Sequence, residues 1–443
     1  MSIFGGGFRG APAFRHRNYR LFFAGQAISL VGTWMQQVAQ GWLVLQLTND
    51  PFWLGLVAAA QFGPVILLGL FGGVIADQLP KRQTLLVTQA AAMVLALALF
   101  GLTVTGLVEV WHVMVLAALL GVTSAVDMPA RQAFAVEMVG REDVTNAVGF
   151  NAALFNGSRI VGPAIAGLLI GAFDISAAFL INGLSYLGAI AAYFWMRDSE
   201  LRPVETVARP VGWSGIVENL AEGARYVRDT PLVLMSCVVV GLAATFGMNF
   251  QVLVPPLADN VLNVGASGFG FLMAASGIGS TVAALTVAFS HRVRARWIAV
   301  GAMGLGIGAL FLAWSPSYPV ALLAMLVAGA GGITMAVVAN TTIQTTVPDQ
   351  LRGRVLSVFT TVFAGSVPAG GLLAGWVASR WGVGVAFALG GVVTLLIGVA
   401  AWFWVMRIRA ANQILRRAAA PEAPTPMAAG AAGESPIAVA RRR

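Results

Sequence analysis

WLGLVAAAQFGPVILLGLFGGVIADQLPKR, residues 53–82, opens on an apolar run over 53–76 and closes on Asp77, Lys81 and Arg82. A hydrocarbon layer about 30 Å thick is crossed by about 20 apolar helical residues. The run is therefore long enough to span a bilayer, and the charges at its end mark a return to water. Outward from it the same pattern recurs, with apolar runs at 20–47, 84–105, 110–130, 145–173, 175–196, 232–257, 267–290, 297–314, 319–343, 354–379 and 382–405. The chain has 443 residues, 58% of them hydrophobic and 10% charged, and a mean hydropathy of +0.82. That usage belongs to polytopic membrane proteins. The expected fold is all-α and integral to the membrane, with twelve transmembrane helices.

The first run follows FRHRNYR, exceeds the core of a signal peptide and ends without a small-residue cleavage pattern, so it reads as a retained helix. Cys237 is the only cysteine, which excludes internal disulfides and a cysteine metal cluster. His16, His112 and His291 each fall near a membrane edge without metal-ligand spacing, and neither a Gly-x-Ser-x-Gly elbow nor a phosphate loop is present. The chain is read as no enzyme, with no metal and no cofactor; a membrane enzyme or sensor is the remote alternative.

A net charge of +9 would suit a nucleic acid, but 25 of the 27 basic residues fall before run 1, after run 12 or in every second loop between. By the positive-inside rule those loops and both termini are cytoplasmic; the expected location is a plasma membrane of the bacterial inner-membrane kind. Arg380 and Arg159 are the two left over, and Arg159 belongs to no loop. It lies 16 residues beyond Asp143 and 15 before Asp174, near the bilayer centre, where a charge costs about 2.5–3.5 kcal/mol on the mildest scales. It needs a carboxylate, carbonyls, water or a bound anion.

The longest interior loop divides the chain into a cytoplasmic N-terminal tail (1–18), a six-helix half (19–197), a linker (198–230), a second six-helix half (231–409) and a tail (410–443) whose Ala, Pro and Arg content predicts disorder. The closing Arg441, Arg442 and Arg443 suit anionic lipid. In the linker, Ile216, Val217, Leu220, Ala221, Ala224 and Val227 recur at helical spacing and predict a short helix along the inner membrane surface. An offset of 208 pairs Gly121 with Gly329, Val139 with Val347, Phe155 with Phe363, Gly162 with Gly370 and Gly167 with Gly375. In a glycine-rich chain such identities weigh little alone, but the loops VGREDVTNAV and VPDQLRGRVL also occupy matching places. Two pseudo-symmetric halves of this kind are characteristic of secondary transporters.

Polarity inside the membrane is confined to certain runs. On the first, Gln26, Ser29, Thr33, Gln36, Gln37 and Gln40 fall within an arc of about 100°. Asn151, Ser158, Arg159 and Gly162 share a face of the fifth, Thr245 and Asn249 stand one turn apart on the seventh, and Asn340, Thr341 and Gln344 lie on one side of the tenth. Such stripes face other helices or a water-filled cavity. Gln26, Thr33, Gln37, Gln40, Asn151, Arg159, Thr245, Asn249, Asn340 and Gln344 are the candidate substrate contacts. Asp127 is the nearest carboxylate to Arg159 by depth, but Arg131, four residues on, competes for it.

GGVIADQLPKR (72–82) resembles the loop signature of the major facilitator superfamily, with Gly73 and Asp77 matching, Lys81 and Arg82 supplying the charge, and Gln78 and Pro80 departing from the usual Arg and Gly. DMPARQAF (127–134), NGSRIVGPAIAG (156–167) and VPDQLRGRV (347–355) narrow the resemblance to the branch of the enterobactin exporter and macrolide efflux pumps. It implies a cavity between the halves, opened alternately to each side, and export of a small amphipathic molecule such as a siderophore or drug in exchange for protons. Gly162, Pro163 and Gly167 match a helix-bending antiporter signature, and Asp77 would latch the cytoplasmic side through Arg131 or the start of run 11. Many proton-driven exporters carry an arginine four residues before the glycine matching Gly121, where this chain has Ala117. Proton coupling thus either falls away or runs through Asp127 and Arg159. Uptake of a nutrient by the same fold is the alternative. The expected partners are the small-molecule substrate, protons and membrane lipid, not nucleic acid, and the chain is expected to be a monomer.

Overall fold

A computed structural model describes residues 11–202, 213–290 and 294–418, with side chains placed except at 69–78, 213–214, 216–217, 409 and 411–418. Lipid offers no hydrogen-bond partners, so each span must satisfy its backbone as a helix, and the described residues contain no strand. The long helices are α1 (Arg17–Thr48), α2 (Pro51–Gln78), α3 (Lys81–Val104), α4 (Val110–Ala172), α5 (Ile175–Phe194), α6 (Trp213–Asp229), α7 (Pro231–Gly247), α8 (Phe250–Pro256), α9 (Gly265–Ala288), α10 (Arg296–Ala313), α11 (Tyr318–Thr346), α12 (Asp349–Trp381) and α13 (Val383–Ala418). Ten described segments are long and apolar enough to cross a membrane. The expected twelve are completed by α1, whose polar stripe lowers its hydropathy, and by the second part of α4.

Helix α4 is two spans in one. Gly140 has φ 78° and ψ 172°, a backbone region open essentially to glycine alone, and it reverses the chain between segments 110–139 and 141–172. The loop expected at VGREDVTNAV is therefore helical on both sides of one glycine. The seventh run departs in the other direction. It breaks between α7 and α8, where the Asn249 side chain donates to Thr245 O (2.7 Å) and answers a carbonyl freed by the break. Helix α13 continues to Ala418, past the boundary expected at 409. Residues 11–16 are docked rather than trailing: Ala13 N donates to Asn146 Oδ1 (3.1 Å) and His16 pairs with Asp143 (2.8 Å). Both chain ends beyond residues 11 and 418 lie outside the described residues.

Helices α1–α5 pack together, as do α7–α13, and the halves meet chiefly where α2 crosses α12 and where α4 crosses α9. The 208-residue offset holds in space. Gly121 lets α4 approach α2, and Gly329 lets α11 approach α9; Gly162 abuts α1, and Gly370 abuts α7; Gly167 abuts α9, and Gly375 abuts α2. Each pair occupies equivalent crossings of the two halves.

The inter-half contacts gather at the arginine-poor end. There Gly375 packs on Pro51 and Phe52, Gly167 on Ala266, Ser267 and Gly270, and Ser267 Oγ donates to Gly167 O (2.9 Å). Trp42 stacks on Phe269 with centroids 6.1 Å apart. From the level of Arg159 to the arginine-rich end, Phe155, Val148, Gln344 and Thr345 are exposed. The described structure is closed at one end and open at the other. Helix α6 packs on α12 at the open end, with Val227 buried, Gly223 against the Arg354 backbone and Glu222 paired with Arg354.

Gly140 and Gly149 contrast a positive-φ position, where a Cβ also meets the movable side-chain ends of Arg202 and Glu142, with a helical one. Gly149 is helical with open space around it. Gly140→Ala is expected to lower unfolding stability in detergent by about 1–3 kcal/mol, whereas Gly149→Ala is neutral or slightly stabilising. Equal melting midpoints for the two variants would remove Gly140 as the cause of the reversal.

Candidate functional site

Asp127 and Arg131 are one helical turn apart in the first segment of α4, a spacing that brings their side chains together. They form an ion pair, and Asp127 is 5% exposed. The other carboxylate oxygen accepts from Thr88 Oγ1 (2.8 Å) and Gln89 Nε2 (2.9 Å) of α3. Arg131 Nη1 donates to Gln26 Oε1 of α1 (2.5 Å), and Gln26 Nε2 donates to the Tyr193 hydroxyl of α5 (2.8 Å). Ser29 Oγ donates to Gln89 Oε1 (3.2 Å). Burying an ion pair is unfavourable unless its remaining donors and acceptors are filled; here both carboxylate oxygens are engaged, and four spans are tied together. Arg131 Nε is buried without a hydrogen-bond partner among the described residues.

Of the two partners open to Asp127 in the sequence, the structure selects Arg131. Arg159 has neither a carboxylate nor a hydrogen-bond partner among the described residues. Its guanidinium lies over the Trp34 ring, 5.8 Å from the centroid, and Phe155 meets the same indole edge-on at 5.5 Å. At about 100° per residue, Arg159 is half a turn away from exposed Leu168 and nearly so from exposed Val161. The face toward α1 is marked by Gly162 against Val31 and Trp34, and the face toward α9 by Gly167 against Gly270. Arg159 projects between those two faces, into the space between the halves.

The remaining candidates divide. Gln26 is buried in the charge network, and Gln40 is buried beside Gln61, to which it donates (3.2 Å). Gln37 accepts from Gln251 Nε2 of α8 (2.8 Å), a hydrogen bond that crosses between the halves. Thr33 donates to Ser29 O (2.9 Å), and Asn151 accepts from Tyr19 (3.1 Å). Asn249 is buried as the stopper of α7, while Thr245 donates to Gly241 O (2.9 Å). Asn340 and Gln344 bond each other on the open side of α11. The structure thus brings Gln37 and Arg159 toward the seam between the halves, sets Thr33 beside the Tyr186 hydroxyl of α5 (3.5 Å), and withdraws Gln26, Gln40 and Asn249 into packing.

The loop signature faces its own half. Lys81 pairs with Glu137 (3.4 Å), and Arg82 pairs with Asp198 (2.6 Å) and donates to Tyr193 O (2.8 Å) and Phe194 O (3.0 Å). Arg131 is engaged by Asp127 and Gln26, and the arginines at the start of α12 by Asp349 and Glu222. The contacts of Gly73 and Asp77 lie outside the described residues. Pro163 lies within continuous helix, and its carbonyl faces Gly270. Sequence reasoning missed Thr88, Gln89, Gln61, Tyr193 and Gln251. Each is polar in an otherwise apolar stretch, a signal weaker than the stripe on α1.

Residues 10–434 match the family model described as transmembrane secretion effector. The chain is 24% identical over 392 residues to the staphyloferrin A transporter of Staphylococcus aureus, covering 87% of this chain and 95% of that protein. It is 30% identical over 381 residues to the multidrug efflux pump Tap of Mycolicibacterium fortuitum, covering 83% and 90%. Among solved structures it is similar to the nucleoside transporter NupG, with a TM-score of 0.71 at 12% identity over 87% of this chain and 98% of that one. Glycine crossings repeated in two helical halves, a polar interior and a match along nearly the whole chain agree: the chain belongs to the transmembrane secretion effector family of major facilitator transporters.

Proposed function

We propose that this protein exports an amphipathic small molecule, of the siderophore or drug-like kind, by alternating access and in exchange for protons. The observation that carries the reading is the interior itself: it is open at the arginine-rich end, closed by glycine crossings at the other, and among the described residues holds the Asp127–Arg131 ion pair and an arginine, Arg159, with no carboxylate beside it. With the arginine-rich end cytoplasmic, this is the state that loads a molecule from inside the cell. The relatives whose names state efflux support the direction.

Asp127 is the proposed proton carrier. A proton on Asp127 would cancel its attraction for Arg131 and free the guanidinium that also holds Gln26. That change would loosen α1 from α4 within the half that carries the charges. Arg131, Lys81 and Arg82 hold the cytoplasmic end of that half together, and Gln37 with Gln251 closes the interior from the far side.

Direction is tested by metabolite profiling of a deletion strain. The exported compound is expected to accumulate inside the cells and to fall in the medium; internal depletion instead would establish uptake. With that compound in proteoliposomes, Asp127→Asn is expected to lower transport driven by a pH gradient by about tenfold or more while sparing substrate exchange at equal pH. Undiminished gradient-driven transport by Asp127→Asn would remove Asp127 from the coupling path.

A further inference from the structure

Arg159 is an unanswered charge among the described residues. The carboxylates between Glu109 and Asp174 are Asp127, Glu137, Glu142 and Asp143. Asp127 is held by Arg131, Thr88 and Gln89; Glu137 pairs with Lys81, Glu142 with Arg202 and Asp143 with His16, all three at the arginine-rich end. The second half has no acidic residue between Asp259 and Asp349, and none from there to Glu422. None of its spans can therefore bring Arg159 a counter-charge in any arrangement of the two halves. The nearest element of that half, α9, offers Gly277 against the Arg159 backbone.

The Arg159 guanidinium lies over the Trp34 ring, its Cζ 5.8 Å from the centroid, and donates no hydrogen bond among the described residues. Its edge, which carries the N–H donors in a planar fork, remains available, and that fork matches a carboxylate bidentately. Beside it Phe155 is 47% exposed on the open side, a surface for a ring.

We propose that Arg159, Trp34 and Phe155 form an anion-binding subsite, and that the transported class is small organic anions bearing an aromatic ring or another flat apolar face. The anion supplies the counter-charge that the fold withholds. Interior charge thereby selects the cargo: a neutral molecule of the same shape leaves Arg159 uncompensated, and a cation adds repulsion.

The proposal rests on the transporter reading, but it is tested by binding, which is independent of direction and of protons. The full-length protein in maltoside detergent is titrated with 1-naphthoate and with 1-naphthamide, which share a shape and differ in charge. Naphthoate is expected to bind about tenfold or more tighter than the amide, as charge-assisted pairing requires. Naphthoate should also raise the melting temperature, because a ligand bound only to the folded state stabilises it. Arg159→Met should erase the preference and the shift, Arg159→Lys should keep part of both, and Trp34→Ala should weaken both probes together. Arg159→Met without ligand should melt no lower than wild type, since it removes an uncompensated charge.

Added phosphatidylglycerol should not displace naphthoate; displacement would assign the subsite to a lipid headgroup. Absence of naphthoate binding, equal binding of the two probes, a preference that survives Arg159→Met, or a lower melting temperature for that variant would each overturn the proposal. An export direction disproved by metabolite profiling would leave this result standing, and the reverse also holds.

Discussion

A charge in hydrocarbon must be matched by another charge, by dipoles or by water, and the N-terminal half is arranged around how Asp127 is matched. Arg131 neutralises it from one helical turn away, α3 fills its second oxygen through Thr88 and Gln89, and Gln26 and Tyr193 extend the network to α1 and α5. Four spans from distant parts of the chain are thereby oriented about one point. Apolar packing in lipid is poor at fixing rotation, because one apolar face is much like another to a lipid tail. A buried hydrogen-bonded pair is directional, and that direction fixes the rotation of each helix.

Between the halves the logic differs. The crossings at Gly167, Gly375 and their neighbours consist of small residues and backbone, with few directional bonds: Ser267 to Gly167 O, and Gln251 to Gln37. Close contact without strong polar bonds makes a surface that is tight when closed and cheap to part. A transporter that alternates needs rigid halves and a separable seam, and the distribution of polarity supplies both.

The twelve spans were legible because lipid imposes one requirement, about twenty apolar residues, that the chain meets again and again. The repeat was legible only in part. The 208-residue offset rested on a few glycines, and it gained force from geometry, when Gly162 and Gly370 proved to occupy equivalent crossings. The α1 stripe showed which face is polar but not what it meets, since Gln26, Gln40 and Gln37 lie on one arc yet face α5, α2 and α8 respectively. The helical phase of a residue is written in its own span; its partner is written in another. For the same reason Asp127 could be placed in depth but not assigned between Arg131 and Arg159.

The embedded charges lie in one half only. The offset that pairs the glycines sets Val367 opposite Arg159, and the spans of the second half carry no carboxylate to face Asp127 or Arg159. Two halves built on one plan have thus separated their tasks. The first holds the ion pair and the free guanidinium in fixed relation, so the local field moves with it as a unit. The second is a nearly neutral wall whose approach excludes water and strengthens whatever electrostatic contact the first has made. Closure around an anion held by Arg159 then sets a paired charge against an apolar wall, whereas closure around an empty subsite buries the same charge alone. On the subsite proposed above, the bare guanidinium opposes closure until a cargo of opposite charge arrives, and loading is coupled to movement without any carboxylate in the apolar runs of the second half.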